Sequence, residues 1–180
     1  MKLQDSYTVF KNWGKEIWLN NPQKDSNTRY CYKRIYINAG HKTSLQKHEF
    51  KSETNYLISG KAKVILEDDN GQLNEFEMGP DEFFSVPAGK IHRVIAITDI
   101  VLQECSTPEV DDCIRLQDDY GRKDGRIDNE HKKPAFLILA AGSGNRVNSI
   151  TKGLHKGLLK YQDKAIICLL YTSDAADDTR

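Results

Sequence analysis

The chain lacks any long apolar run and any excess of charge of one sign. Its 180 residues carry 26 Lys plus Arg against 26 Asp plus Glu, so the formal net charge is zero. A neutral chain has no general electrostatic attraction to nucleic acid or to anionic lipid. The longest apolar stretches, 135–141 and 165–171, are far shorter than the ~20 residues of a membrane-spanning helix. We therefore expect neither a nucleic-acid partner nor a membrane partner.

Cysteine is also scarce. The four cysteines form no C-x-x-C pair, which favours reduced thiols over a disulfide framework. Residues 1–5 are not followed by an apolar core and a small-residue cleavage site, so they do not predict a secretory signal. These features are typical of a cytoplasmic protein.

Short β-prone runs dominate the chain from Tyr30 to Leu116. β-branched and aromatic residues alternate with polar ones, and Gly, Pro, Asn or Asp interrupts the pattern every ~8–12 residues, which predicts an all-β antiparallel sandwich or barrel. Asn70-Gly71 predicts a hairpin, because these residues accept the positive φ of tight turns. The predicted strands lie near 30–38, 44–50, 54–59, 61–67, 73–78, 83–86, 92–97 and 100–106.

Candidate metal ligands are concentrated in two segments. Gln46 and His48 are two residues apart, so their side chains share one face of a strand. Glu53 follows at a spacing that a bend returns to that face, and His92 follows the predicted turn at 87–89. Two imidazoles, a carboxylate and an amide oxygen suit a divalent first-row metal, Zn²⁺, Fe²⁺ or Mn²⁺, with positions left open to water. For each histidine alone, the alternative is an ordinary polar residue on a strand.

The joint spacing of these residues resembles the two motifs of the cupin superfamily. The first motif is Gly-x5-Gln-x-His-x4-Glu-x6-Gly, beginning at Gly40, and the second is Gly-x7-Pro-x-Gly-x2-His, beginning at Gly79. Over residues 10–125, further segments are similar, in order, to the type II mannose-6-phosphate isomerase cupin, which accompanies a mannose-1-phosphate guanylyltransferase. They include 13–16, 33–35, 59–62, 86–93, 111–115 and 119–122. The resemblance implies a double-stranded β-helix, or jelly-roll, barrel.

This resemblance also implies a metal-dependent sugar-phosphate isomerase that is one half of a bifunctional protein of polysaccharide biosynthesis. Glu104 is the candidate base, and its alternative is a solvent-facing strand carboxylate. Arg93, next to His92, is a candidate for catalysis and for binding the substrate phosphate. Lys33 and Lys51 are further candidates for binding a sugar phosphate, against the alternative of solvated surface charges.

A second interpretation of the same barrel is a binding module. In that case the barrel binds a sugar or a nucleotide sugar without chemistry and regulates the attached transferase. In either case, a homodimer is an expectation from the resemblance alone.

A different pattern follows the polar stretch 118–133. Residues 135–139 form an apolar run typical of a buried parallel strand, and a glycine-rich turn follows at 140–146. With Thr151 and the segment 155–159, this resembles the opening of sugar-phosphate nucleotidyltransferases. The resemblance implies nucleotide binding, with Mg²⁺ in the full-length transferase, at Gly142, Gly144, Arg146 and Lys156.

These patterns divide the chain into four parts. We expect a cupin domain over 1–122, a linker over 123–133, a truncated nucleotidyltransferase start over 134–167, and a tail over 168–180. The second module lacks the later carboxylates that hold Mg²⁺ in its family, so we expect it to be incomplete. The tail resembles translated sequencing-adapter DNA, and we expect it to be artefactual.

Overall fold

The computed structural model describes residues 6–24 and 27–132, together with the backbone of Lys160–Tyr161 and Lys164–Ala165. The chain divides into two compact units, Met1–Lys132 and Lys133–Arg180. In the second unit, Lys160–Tyr161 and Lys164–Ala165 pair as two short antiparallel strands. No helix in the described part of the chain is long and apolar enough to cross a membrane.

The first unit is built from two antiparallel sheets. Its strands are β1 (Tyr7–Lys11), β2 (Gly14–Asn20), β3 (Cys31–Ile37), β4 (Leu45–Lys47), β5 (Glu53–Ser59), β6 (Ala62–Glu67), β7 (Leu73–Met78), β8 (Phe83–Val86), β9 (His92–Ala96), β10 (Ile100–Ser106) and β11 (Ile114–Gln117). One sheet has the strand order β1-β2-β3-β10-β5-β8, and the other has the order β11-β4-β9-β6-β7. Several pairs of strands that follow one another in the chain, such as β4 and β5 or β9 and β10, lie in different sheets, as in a double-stranded β-helix. The predicted all-β barrel is therefore confirmed.

The barrel interior is apolar towards one end and polar towards the other. Strand alternation turns every second residue inward, and on β10 the inward residues change from Ile100 and Leu102 to Glu104. Leu102 lies opposite Ile35 on one neighbouring strand and Leu57 on the other. Burying each Leu or Ile contributes about 1.5–3 kcal/mol. This apolar layer packs the sheets together, and the next layer places polar side chains in a cavity.

The predicted hairpin at Asn70-Gly71 joins β6 to β7. Gly71 has φ 79°, while Asn70 keeps a negative φ. The loop that Asp68 and Gln72 enclose has three residues, 69–71, rather than the two of a tight hairpin. Asp68 closes it: its backbone N–H donates to Gln72, and its carboxylate accepts the N–H groups of Asn70 and Gln72. Register between β6 and β7 is thereby fixed, with Glu67 opposite Leu73.

Strands β1, β2 and β11 were not among the predicted strands. β1 and β2 extend the six-stranded sheet beyond β3, and β11 pairs with the three-residue strand β4. β11, with four residues, is too short to show a clear alternation, and the alternation of β2 is obscured by three consecutive buried residues.

The expected linker over 123–133 differs from the structure, which packs the chain onto the barrel as far as Lys132. We call residues 118–132 the strap. Glu130, in a 3₁₀ helix over Asp128–His131, is buried, and its carboxylate pairs with Lys11 at 2.7 Å and with Arg122 at 3.3 Å. The His131 ring contacts Tyr7. The polar composition of this segment reflects buried ion pairs, which a sequence pattern does not distinguish from solvated charges.

We predict unequal costs of alanine at two glycines with positive φ. At Gly60, with φ 89°, an added Cβ lies 2.2 Å from the Asp99 carbonyl oxygen, whereas at Gly40, with φ 77°, it meets nothing within 4 Å. Gly60→Ala should lower the free energy of unfolding by about 3 kcal/mol or more, and Gly40→Ala by about 1 kcal/mol. Urea unfolding at constant m-value measures both, and equal losses would contradict the barrel geometry at Gly60.

Candidate metal centre

Three buried side chains converge at the polar end of the barrel. The ligand atoms of His48, Glu53 and His92 all lie within 4.8 Å of one another. His48 Nε2 is 3.6 Å from Glu53 Oε2, and His92 Nε2 is 3.3 Å from Glu53 Oε1. His92 and Glu53 begin strands β9 and β5, and His48 directly follows β4. The structure thus brings together these three sequence-predicted ligands.

Gln46 completes the group but presents its amide nitrogen to the imidazoles. Its Nε2 is 3.5 Å from His48 Nε2 and 3.4 Å from His92 Nε2. Its Oε1 accepts from Ser44 Oγ at 2.6 Å and from Cys113 Sγ at 3.2 Å. A half-turn of the amide exchanges the two atoms, and the oxygen then faces the cluster while the nitrogen donates to Ser44.

Both imidazoles are oriented by backbone carbonyls. His48 Nδ1 bonds to the carbonyl oxygen of Asp112, and His92 Nδ1 lies 3.2 Å from that of Lys90. A carbonyl only accepts, so each Nδ1 carries the proton and each Nε2 directs its lone pair at the cluster. Two such nitrogens and a carboxylate form a donor set that fits Zn²⁺, Fe²⁺ or Mn²⁺.

The Asp112 carboxylate fixes the connection between β4 and β5. It accepts the backbone N–H groups of Glu49 at 3.0 Å, Phe50 at 2.6 Å and Lys51 at 2.9 Å. Partial burial would raise the pKa of Asp112, but these three hydrogen bonds hold it below its usual value. Sequence reasoning assigned Asp112 no role, because nothing in its local pattern indicates which distant loop it contacts.

A network of alternating buried charges runs from the cluster to the strap. We call it the ion-pair network. Successive members are separated by 2.5 to 3.8 Å, and no side chain among them is more than 11% exposed. In order they are Glu53, Lys51, Glu104, Lys33, Glu16, Lys11, Glu130, Arg122 and Asp118.

The network sets the ionisation of its members. Burial alone would raise the pKa of Glu53, but the Lys51 ammonium holds it well below the usual range. The pKa of Glu16 falls to about 2, because Lys11 and Lys33 outweigh the effect of its burial. Glu104 and Glu53 likewise raise the pKa of Lys51 despite its burial. Glu53, Glu16 and Lys51 therefore stay charged at neutral pH.

His48 is neutral at the same pH. Burial, followed by the nearby Lys51 ammonium, lowers the pKa of His48 to about 4. A metal ligand requires an unprotonated imidazole nitrogen, so the protein prepares this residue for coordination without competition from protons at neutral pH.

The predicted substrate-binding and catalytic residues do not all lie in the cavity. Lys33, Lys51 and Glu104 line the cavity and are no more than 5% exposed, so the alternatives of solvated lysines and a solvent-facing carboxylate are wrong. Arg93 does not reach the cavity. Adjacent strand residues face opposite sides, so Arg93 points away from His92, and its guanidinium bonds to the Gln117 carbonyl oxygen at 2.9 Å.

Three further cavity residues were not assigned a site role from the sequence. Asn55, two residues after Glu53 on β5, donates to Glu53 Oε1 at 3.0 Å. Glu16 and Arg115 also line the cavity. Strand alternation after Glu53 predicts the inward position of Asn55, whereas long-range strand pairing brings Glu16 and Arg115 to the cavity. Trp13 lines the cavity as well; it is 4% exposed, and its indole N–H has no partner among the described residues.

The candidate nucleotide-binding residues lie outside the described residues. They are Gly142, Gly144, Arg146 and Lys156. The tail from Cys168 lies outside them as well.

The chain is similar to one family and to several curated proteins. Residues 2–118 match the family described as Mannose-6-phosphate isomerase C-terminal. The mannose-1-phosphate guanylyltransferase ManC of Salmonella typhimurium is 30% identical over 119 residues, covering 63% of this chain and 23% of that protein. The alginate biosynthesis protein AlgA of Pseudomonas aeruginosa is 29% identical over 142 residues, covering 76% of this chain and 26% of that protein. The chain thus spans about a quarter of the length of these relatives.

Solved structures share the barrel at low identity. An oxalate decarboxylase from Lactobacillus farciminis aligns with TM-score 0.55 and 17% identity, covering 64% of this chain and 35% of that chain. The capsular polysaccharide assembling protein CapF from Staphylococcus aureus aligns with TM-score 0.51 and 19% identity, covering 62% of this chain and 34% of that chain. At such identities the likeness shows the fold alone.

We predict that His48 makes the metal-free protein less stable as pH falls from about 6.5 to about 4. The unfolded chain binds a proton at His48 from its ordinary pKa of about 6.5 downward, whereas the folded chain binds it only near 4. Stability is therefore full above pH 6.5 and declines below it, by on the order of 3 kcal/mol from this group. Urea unfolding in EDTA from pH 7 to pH 4.5 measures the decline.

A matched pair of variants isolates this effect. His48→Asn should remove that share of the pH dependence. His41→Asn should keep it, because His41 lies against Tyr120 and not in the cavity. An unchanged pH slope in His48→Asn would contradict the assignment.

Proposed function

The chain belongs to the Mannose-6-phosphate isomerase C-terminal family of cupin barrels, and on that basis we propose that it is a metal-dependent aldose–ketose isomerase of sugar phosphates. The proposed substrate pair is mannose 6-phosphate and fructose 6-phosphate. The observation that carries the proposal is the cluster of His48, Glu53 and His92 in the same cavity as Glu104 and Lys51.

The metal-binding residues of the proposal are His48, Glu53 and His92, with Gln46 as a fourth position. A bound divalent cation would polarise the sugar carbonyl and hydroxyl and stabilise the negative charge that develops between them. The carbonyls that orient both imidazoles, and the low proton affinity of His48, support this role.

Glu104 is the proposed base. Isomerisation moves a proton between adjacent carbons, and a carboxylate at the cavity wall accepts it from one carbon and returns it to the other. Glu104 Oε1 lies 3.4 Å from Lys33 Nζ and 3.2 Å from Lys51 Nζ, which fixes the position of the carboxylate. The unpartnered indole N–H of Trp13 offers a hydrogen bond to a sugar oxygen.

The charge of the cavity supports an anionic substrate. Six cationic side chains line it, against four acidic ones, and a bound divalent cation would add further positive charge. Lysine and arginine side chains at the cavity wall are donors to phosphate oxygens, so this lining favours a phosphorylated sugar over a neutral one. The cationic residues are Lys11, Lys33, Lys51, Arg115, Arg122 and Arg126.

A second candidate function is a non-catalytic barrel that binds a sugar or a nucleotide sugar and regulates a fused nucleotidyltransferase. It is favoured by the ion pairing of Glu104, since both Lys33 and Lys51 contact the same carboxylate oxygen. The two ammonium groups occupy positions at the oxygen that a substrate proton would have to approach. Turnover separates the two functions.

We propose that the chain is part of a longer bifunctional protein. The barrel, with the strap, extends to Lys132, and residues 134–167 begin a nucleotidyltransferase that binds nucleotide with Mg²⁺. The curated guanylyltransferases, of which this chain covers about a quarter, support that arrangement.

We predict that the 180-residue chain converts mannose 6-phosphate to fructose 6-phosphate after loading with Mn²⁺, Zn²⁺ or Fe²⁺, and that EDTA abolishes turnover. His48→Ala should reduce metal affinity at least tenfold and activity by a similar factor or more, because it removes one of three strong ligands. His41→Ala, outside the cavity, is the matched control. A coupled assay and metal titration measure both quantities. Metal binding without turnover for every cation would favour the regulatory barrel.

We predict a specific kinetic signature for Glu104. Glu104→Gln keeps the shape of the side chain but cannot accept a proton, so kcat should fall about 10²–10⁴-fold with KM changed little. Glu75→Gln, an exposed carboxylate paired with Lys63, should leave both constants near wild type. A change confined to KM would assign Glu104 to binding and not to proton transfer.

A further inference from the structure

Strand pairing places Arg115 beside the candidate metal site of His48, Glu53 and His92. On the sheet β11-β4-β9, Arg115 is opposite Gln46, and Gln46 is opposite His92. Paired residues of antiparallel strands project from the same face, with Cβ atoms about 4.5–5.5 Å apart. Cys113, two residues before Arg115, contacts Gln46 Oε1, so this side of the segment faces the cluster. Arg115 lines the same cavity.

The Arg115 guanidinium has no acidic partner. Its Nη1 donates to the backbone carbonyl oxygens of Lys123 and Gly125. Its Nε is buried and has no hydrogen-bond partner in the described residues. A partly buried guanidinium without a carboxylate is unfavourable, because a charge partly removed from water is stabilised by a compensating charge nearby.

The other cations of the cavity are all neutralised. Lys11, Lys33, Lys51 and Arg122 belong to the ion-pair network, and Arg126 pairs with Asp128 at 3.0 Å. Among the described lysines and arginines that line the cavity, Arg115 alone has no ion pair. The uncompensated positive charge of the cavity is therefore localised at one residue next to the metal cluster.

We propose that Arg115 binds the phosphate group of the sugar-phosphate substrate. The proposal rests on the function proposed above and names the residue that distinguishes phosphorylated from unphosphorylated sugars. A guanidinium donates two parallel hydrogen bonds to phosphate oxygens, and the phosphate supplies the negative charge that the cavity lacks at this position. Arg115 replaces Arg93, which adjacency to His92 suggested, as the arginine of the substrate site.

Ligand titration of the full chain tests this proposal, in EDTA so that no anion binds through a metal. The probes are inorganic phosphate, mannose 6-phosphate and mannose. Arg115→Gln should weaken binding of both phosphorylated probes about tenfold to hundredfold and leave mannose binding unchanged. Arg115→Lys should retain part of the phosphate affinity, because it keeps the charge and loses the paired donors.

Two controls separate binding from structure. Arg34→Gln removes an arginine of similar partial exposure that also lacks an ion pair, but it lies on β3 and bonds to Gln103. Asp124→Ala removes the carboxylate that accepts the Arg115 backbone N–H at 2.6 Å, and it leaves the guanidinium donors themselves unchanged. Both should keep the preference for phosphorylated probes.

The outcomes are distinct. Failure of the wild-type chain to bind either phosphorylated probe overturns the proposal, as does an equal loss of mannose and mannose 6-phosphate affinity in Arg115→Gln. If Arg115→Gln does not fold, the other two variants decide. The proposal is overturned if Arg115→Lys binds phosphate with full affinity while Asp124→Ala loses phosphate affinity. Arg115-dependent phosphate binding without turnover contradicts the isomerase alone. Turnover with an unchanged KM for mannose 6-phosphate in Arg115→Gln contradicts the phosphate assignment alone.

Discussion

The buried ion-pair network is the constraint on which the rest of the structure depends. Removing an ion from water costs several kcal/mol unless opposite charges and hydrogen bonds replace its hydration. In this network nine side chains, each in contact with the next, meet that condition because their charges alternate in sign. Lys11, Glu16, Lys33 and Glu104 come from four successive strands of one sheet, so the strand register determines whether the charges alternate. The carboxylate at the end of the network, Glu53, also belongs to the candidate metal site with His48 and His92.

The polar site depends equally on the apolar layer beside it. Ile35, Leu57 and Leu102 occupy the same level of the barrel, and their packing fixes the distance between strands at the adjoining level, where Lys33, Asn55 and Glu104 face the cavity. The Glu104 carboxylate can then keep separations of 3.4 Å from Lys33 Nζ and 3.2 Å from Lys51 Nζ. Preorganisation of this kind is the main means by which a protein stabilises charge that develops during a reaction.

The site could be predicted from the sequence where the governing geometry is local. The two-residue period places Gln46 and His48 on one face, and that prediction agrees with the structure. Arg93 was misplaced by neglect of the same period, since a neighbour in sequence faces the opposite side of a strand. Arg115 and Asp112 could not be found in this way, because their positions are set by pairing with β4 and by contacts with the β4–β5 connection, far away in sequence. The strap was predicted as a linker because a charged segment has the same composition whether its charges are solvated or paired.

The strap also bears on how this barrel can be exchanged between proteins during evolution. The match to the family ends at residue 118, whereas buried pairing continues to Glu130, whose carboxylate contacts Lys11 on the first strand. Recombination at the end of the family match would separate Lys11 from Glu130 and Asp118 from Arg122, and it would leave these charges buried without compensation. The unit that can be transferred intact therefore extends to Glu130, because the buried ion pairs of Glu130 set its boundary. The limit of the family match, taken alone, places the junction inside the folded unit.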